Sequence, residues 1–271
     1  MNLNTITEVK RPTSADEISQ WRDGYAWLAG GTWLFSEPQV AVDTLIDLDT
    51  LGWAPLTATA AGLEIAATCR IADLHAFKAP TGWRAVPLFN ECIDAFLMSF
   101  KIWNAATVGG NVCMSLPAGA MISLTAALEG VGTLWPRGGK PREVPIVDFV
   151  TGNHQNVLQK GELLRSIHLP ASALSKRFAM RQVSLTHLGR SAALIVGTVG
   201  NDGSDFLLTV TAATPRPRQL RFARLPSAAE LRQAIDRELP ADAYFQDVHG
   251  SAPYKRHITY YLAEQIRTEL A

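Results

Sequence analysis

The chain has 271 residues, enough to bury a large core and to form two domains with a small third. It is 47% apolar and 18% charged, with 25 basic residues against 25 acidic ones, which excludes intrinsic disorder and a basic nucleic-acid surface. So low a charge fraction suits a chain that covers part of its surface with partner subunits, and equally a large monomer with a big core.

The opening residues hold no apolar signal-peptide core, and no run approaches the about eighteen apolar residues of a membrane span. The expectation is a soluble cytoplasmic protein with no membrane span. The three cysteines are Cys69, Cys92 and Cys113; no C-x-x-C pair is present, nor any H-E-x-x-H cluster, so no protein-bound metal is expected. Cys69 and Cys92 sit in apolar contexts and read as buried small hydrophobes.

In chain order, "RPTSADEISQWRD" pairs Ser14 with Glu17 as a capping box, which predicts a short amphipathic helix carrying Ile18 and Trp21 and ending at Gly24. "YAWLAGG" reads as a strand running into a glycine turn, and "VDTLIDLDTL" (42–51) as a second strand, together a small parallel unit. "LTATAAGLEIAAT" predicts an antiparallel hairpin around an Ala-Gly turn. "RIADLHAF" begins a helix, and "AVPLFNECIDAFLMSF" predicts a longer one. "AGAMISLTAALEG" predicts a helix from about Pro117 to Gly130. "VGTLWPRGGKPREVPIVDFV" supplies a strand and a Gly-Gly-Lys-Pro loop, and "GELLRSIHLP" a strand stopped by Pro170.

Past a boundary at Pro170 to Ser175, "KRFAMRQV", "SAALIVGTVG" and "DFLLTVTAATPRPRQLRF" read as strands with a turn at Asn201-Asp202-Gly203. "SAAELRQAIDREL" and "APYKRHITYYLAEQIRTEL" read as helices. The layout is α+β, divided as 1–54, 55–169 and 170–271.

Two glycine pairs carry the candidate chemistry, Gly30-Gly31 in "AWLAGGTWL" and Gly109-Gly110 in "NAATVGGNV". Neither fits G-x-G-x-x-G or the P-loop pattern. Consecutive glycines let backbone N–H groups converge on an anion, and Thr32, Thr107 and Asn111 add a hydroxyl or an amide beside them. Both pairs read equally as tight turns between core elements, and Trp33, Trp53 and Trp103 as packing residues. No Ser-His-Asp or Cys-His arrangement is supported, and His168 reads as a satisfied strand residue. The absence of a visible proton-abstracting base suits a subunit whose cofactor carries the chemistry.

Six segments, in order, resemble the FAD-binding medium subunit of the molybdenum hydroxylases, the family of xanthine dehydrogenase and aerobic carbon monoxide dehydrogenase. They are "KRPTSADEISQW…YAWLAGGTWL", "TLIDLDTLGW", "IAATCRIADL", "KIWNAATVGGNV", "GELLRSIHLP" and "DVHGSAPYKRHITYYL". The resemblance implies a two-part FAD-binding domain, with a small N-terminal α/β part and a middle antiparallel part, followed by a smaller C-terminal α+β domain. By the same resemblance Leu28, Ala29, Gly30, Gly31, Thr32, Trp33 and Leu34 would line the FAD pyrophosphate. Thr107, Gly109, Gly110 and Asn111 would form the facing loop, and Leu164 would pack near the adenine.

The resemblance further implies a flavoprotein subunit that takes electrons from [2Fe-2S] clusters of a small partner and passes them from FAD to NAD+ or a quinone. Substrate would be oxidised at a molybdopterin centre in a large partner, the whole forming a heterotrimer or a dimer of heterotrimers. Departures from the family pattern fall in "VCMSLPAGAM". Met114 and Leu116 replace hydroxyl-bearing positions, Ala120 stands where an FAD-site Asp is usual, and Trp103 replaces an Arg. Ser115 is the candidate substitute for the lost acceptor. Met114, Leu116 and Ala120 keep open the alternative of an FAD-free scaffold subunit, and a stand-alone FAD oxidoreductase with this kind of fold is the second alternative.

Overall fold

A computed structural model describes residues 3–18, 20–96, 98–135 and 140–271. Glycines Gly138 and Gly139 of the expected Gly-Gly-Lys-Pro loop lie outside the described residues.

The first fifty residues form a three-stranded parallel sheet, with Thr44–Asp47 between Glu8–Lys10 and Tyr25–Leu28. Thr44, Leu45 and Ile46 of the central strand are buried, as its apolar composition requires. Glu8–Lys10 is an edge strand with too few apolar residues to announce itself. The expected amphipathic helix is only a 3-10 turn, Ala15–Ile18. The reason is local: the Ser14 hydroxyl donates to the Glu17 carboxylate at 3.2 Å instead of accepting from the helix, and Glu17 also accepts from Thr13 Oγ1 at 2.8 Å. Trp21 leaves the turn to pack 4.7 Å from the Trp27 ring.

The middle part is a five-stranded antiparallel sheet in the order Leu56–Thr59, Gly62–Ala66, Leu163–Pro170, Val131–Trp135, Arg142–Pro145. Its inward residues, among them Leu63, Ile65 and Ile167, share one core with the helices Ile71–His75, Pro87–Asp94, Val108–Met114 and Ala120–Ala127. The expected long helix across 85–100 breaks. Leu88, Phe89, Cys92 and Ile93 complete a buried face by Asp94. Phe100 is 68% exposed on a separate turn, Phe100–Trp103, so the later apolar residues belong to no common stripe.

Ala120–Ala127 starts three residues later than expected, because Pro117–Gly119 forms a turn ahead of it. All its residues are buried, as an all-round apolar helix must be. It packs between the middle part and the strands Ser191–Val199 and Ser204–Thr211.

Those two strands, flanked by Arg177–Ser184 and Arg218–Arg224, form a sequential antiparallel meander. The turn at 201–203 is as expected, with Gly203 left-handed and Asp202 accepting from Ser204 N and Oγ. Ala228–Glu238, with a complete Ser227/Glu230 capping box, and Ala252–Leu270 cover one face of the meander. The architecture is therefore α+β, with a parallel N-terminal part, a larger antiparallel part and a smaller C-terminal α+β domain. Among the described residues no helix is long and apolar enough to cross a membrane.

Candidate functional site

The strand Tyr25–Leu28 delivers the chain into the first glycine loop at its carboxyl end, where open parallel sheets place their ligands. Gly30 has its Cα against the Ala105 carbonyl, leaving no room for a side chain. Gly31 is left-handed, with φ of 68°. Phe35 N then bonds the Gly31 carbonyl and Ser36 N that of Trp33, both at 2.8 Å, closing the turn. The amides of Gly30 through Leu34, and the Thr32 hydroxyl, bond to no acceptor among the described residues.

The second pair is built differently. Gly109 and Gly110 are neither a turn nor a loop; they lie in the first turn of the helix Val108–Met114. Thr107 caps that helix, its Oγ1 accepting from Gly110 N at 3.0 Å. Val108 N bonds the Cys69 carbonyl, Gly109 N that of Ala67 and Asn111 N that of Thr107. All these amides are spent within the fold. Asn111 Oδ1 in turn accepts from Met121 N at 3.1 Å, capping the helix Ala120–Ala127 from outside and leaving its Nδ2 as a donor at the cleft wall.

Between the two lies a cleft of about 560 Å³. Of the residues expected at the site, Leu28, Ala29, Gly30, Gly31, Thr32, Trp33, Leu34, Thr107, Gly110 and Asn111 line it. Gly109 and Leu164 do not. Gly109 is pressed onto Ala67 beneath the helix, and Leu164 is buried in the core beside Gly132. Sequence reasoning missed the apolar wall of Phe96, Met98 and Ile102. It also missed Leu188 and Arg190, which arrive from the hairpin joining Arg177–Ser184 to Ser191–Val199. Arg190 is the one charged residue in the lining, and it makes no ion pair among the described residues. No local signal in "THLGR" marks it, since its part depends on where the C-terminal meander docks.

The departures resolve separately. Met114 and Leu116 line the cleft. Ser115 is fully buried and left-handed, its hydroxyl donating to the Val112 carbonyl at 3.2 Å and accepting from Asn156 Nδ2 at 3.2 Å. It has no lone role left to replace a lost acceptor. Ala120 is buried in the core, off the cleft lining. Trp103 packs 5.1 Å from the His75 ring, and Trp33, in the lining, 5.7 Å from that of His154. Burial pushes the Cys113 thiol up to about 12, against a smaller opposing effect of a Leu164 backbone hydrogen bond. It is a wall residue, held as the neutral thiol.

Residues 5–172 match the family described as the FAD binding domain in molybdopterin dehydrogenase. Caffeine dehydrogenase subunit beta of Pseudomonas sp. (strain CBB1) is 25% identical over 255 residues, covering 88% of this chain and 82% of its own. The carbon monoxide dehydrogenase medium chain of Hydrogenophaga pseudoflava is 24% identical over 181 residues, 63% of this chain and 62% of its own. In three dimensions, quinoline 2-oxidoreductase from Pseudomonas putida 86 matches with a TM-score of 0.81 at 17% identity, over 100% of this chain and 98% of that one. The family match spans both walls of the cleft, from the first glycine loop to the Asn111 helix. This chain belongs to the FAD-binding domain family of molybdenum-hydroxylase medium subunits, the family of xanthine and carbon monoxide dehydrogenases.

Proposed function

We propose that the cleft holds FAD and that the chain is the flavoprotein subunit of a molybdenum-containing hydroxylase or dehydrogenase. One observation carries this reading: the residues from Gly30 to Leu34, whose amides are unspent, line a mostly apolar cleft whose lining has a single cation, Arg190. An anionic pyrophosphate needs converging donors, and a fused ring system needs apolar walls. The chain offers both in one place.

In this reading the Gly31, Thr32 and Trp33 amides and the Thr32 hydroxyl hold the pyrophosphate, with Asn111 Nδ2 as a donor from the opposite wall. Phe96, Met98, Ile102 and Leu188 shield the ring system from water. Thr107 and Gly110 shape the wall, their polar atoms being engaged with each other, and Gly109 and Leu164 support it from below. Bound FAD supplies the exchange between one-electron and two-electron carriers, which no side chain of this chain can perform.

The related proteins are named as a subunit and a medium chain of larger enzymes, which supports partners for this chain. We take these to be a small subunit with [2Fe-2S] clusters and a large molybdopterin subunit, with NAD+ or a quinone as the external acceptor. The test is native purification from the source cell, with mass, visible absorbance and metal content of the complex. Flavin, iron and molybdenum co-eluting with this chain are expected. A complex lacking flavin absorbance would instead identify a scaffold subunit, and a flavin-loaded chain turning over alone a self-sufficient oxidoreductase. Met114 and Leu116 do not close the cleft, which favours the flavin reading over the scaffold.

A further inference from the structure

Lys255 lies in the first turn of the helix Ala252–Leu270 and is completely buried. An ammonium withdrawn from water requires partners for its protons. Asp247 Oδ1 accepts from it at 2.9 Å and the Ala212 carbonyl at 3.2 Å, while the Phe245 ring centroid lies 5.3 Å away. Ala212 holds a left-handed backbone, φ 63°, a conformation unfavourable to any residue with a Cβ unless its surroundings enforce it. In that conformation its carbonyl meets Lys255 and its N–H donates to the Pro117 carbonyl at 2.8 Å.

Pro117 stands between Leu116 and Ala118, both in the cleft lining. One residue earlier, Thr211 Oγ1 pairs with Ser123 Oγ at 2.6 Å, on the helix that follows this wall. A buried charge in the C-terminal domain is thus two hydrogen bonds from the cleft.

We propose that Lys255 is a positioning residue for the cofactor cleft. By fixing Ala212 in its left-handed form, it sets Pro117 and with it the wall segment Leu116–Ala118. The consequence for cofactor affinity rests on the flavin reading above; the relay itself rests on the backbone geometry.

A lysine that served only to anchor the last helix would be equivalent to any other buried contact of that helix. Ile266, packed on Gly197, is such a contact. The experiment compares Lys255→Met with Ile266→Ala in the full chain, by hydrogen exchange and by FAD titration. Lys255→Met should speed exchange at the Ala212 amide and across the 116–121 segment about tenfold, and should weaken FAD binding by a similar factor. Ile266→Ala should lower the Tm and leave both readings within about twofold. Adding Ala212→Gly to Lys255→Met should recover part of the lost affinity, because glycine adopts the left-handed form unaided.

Asp247→Asn gives a milder version of the same readings should Lys255→Met not fold. Unchanged exchange at Ala212, or equal changes in the two single variants, would overturn the relay. Faster exchange with unaltered FAD affinity would overturn the positioning role. A wild-type chain that binds no FAD would sink the flavin reading, while the Ala212 exchange would still decide the relay.

Discussion

Gly30 meets the carbonyl oxygen of Ala105 so closely that a Cβ at position 30 would overlap it outright. This contact joins the parallel N-terminal part to the helical wall of the middle part, directly at the cleft. Backbone against backbone leaves nothing flexible to give way. Gly30→Ala should therefore cost about 3 kcal/mol by urea unfolding and should abolish flavin retention on gel filtration. A stable, flavin-retaining Gly30→Ala chain would show that the two parts do not meet in this way.

The second glycine pair should split by function. A Cβ on Gly109 would press 2.5 Å from that of Ala67, beneath the helix, whereas one on Gly110 would meet only Thr107 Oγ1 at 2.8 Å. Gly109→Ala should lose about 2 kcal/mol of stability, and Gly110→Ala less than half of that. Gly110→Val, with a branched side chain in the cleft lining, should expel FAD while the chain still folds. Thermal melts and bound flavin per chain measure the two effects separately.

Glu162 ties the N-terminal parallel part to the middle part. Its carboxylate accepts from Arg142 Nε at 2.9 Å and from Gln159 N at 2.7 Å, and its carbonyl accepts from Trp27 Nε1 at 3.0 Å. The Arg142 guanidinium outweighs the opposing effect of burial and, with a smaller contribution from the Gln159 amide, holds this carboxyl below the ordinary glutamate range. A depressed folded-state pKa contributes stability that is present above the unfolded pKa and lost as pH falls through the folded one. Unfolding free energy should therefore fall as pH drops below the ordinary glutamate pKa of about 4.3. Glu162→Gln should cost about 2 kcal/mol at pH 7, Arg142 being partly solvated, and should flatten that acid limb. A variant with the wild-type pH profile would remove Glu162 from the account.

Restoring the family acid as Ala120→Asp should not tighten FAD. Ala120 is buried in the core and off the cleft lining, so an added carboxylate would lack solvent. The expected result is a loss of about 2 kcal/mol or more and flavin affinity no better than wild type. Tighter flavin in a stable Ala120→Asp chain would mean that position 120 reaches the site after all.

Much of this arrangement was legible in the residues. The parallel unit followed from two β-branched and aromatic runs around a glycine turn, and the helix Ala228–Glu238 followed from its apolar spacing, whereas the capping box expected at Ser14 did not form. Gly30 and Gly31 were legible because backbone approach and positive φ both demand glycine. The second pair misled, since Gly-Gly suggests a turn while its real setting is a helix capped by Thr107. Glu8–Lys10 was illegible because an edge strand needs few apolar residues. Leu188 and Arg190 were illegible for a deeper reason: they join the cleft only through tertiary docking, and no local pattern encodes that. The same holds for Ser115, whose hydroxyl is consumed by Asn156 from the distant short strand Gln155–Asn156.

The hairpin carrying Leu188 and Arg190 also orders events during synthesis. Gly30 leaves the ribosome long before Arg190, an interval of roughly ten to thirty seconds at ordinary elongation rates. For about the second half of that interval, once the Asn111 helix has emerged, the cleft has one side open, with its apolar wall unshielded. A cofactor loaded during synthesis would have its opportunity then, before Leu188 and Arg190 complete the lining.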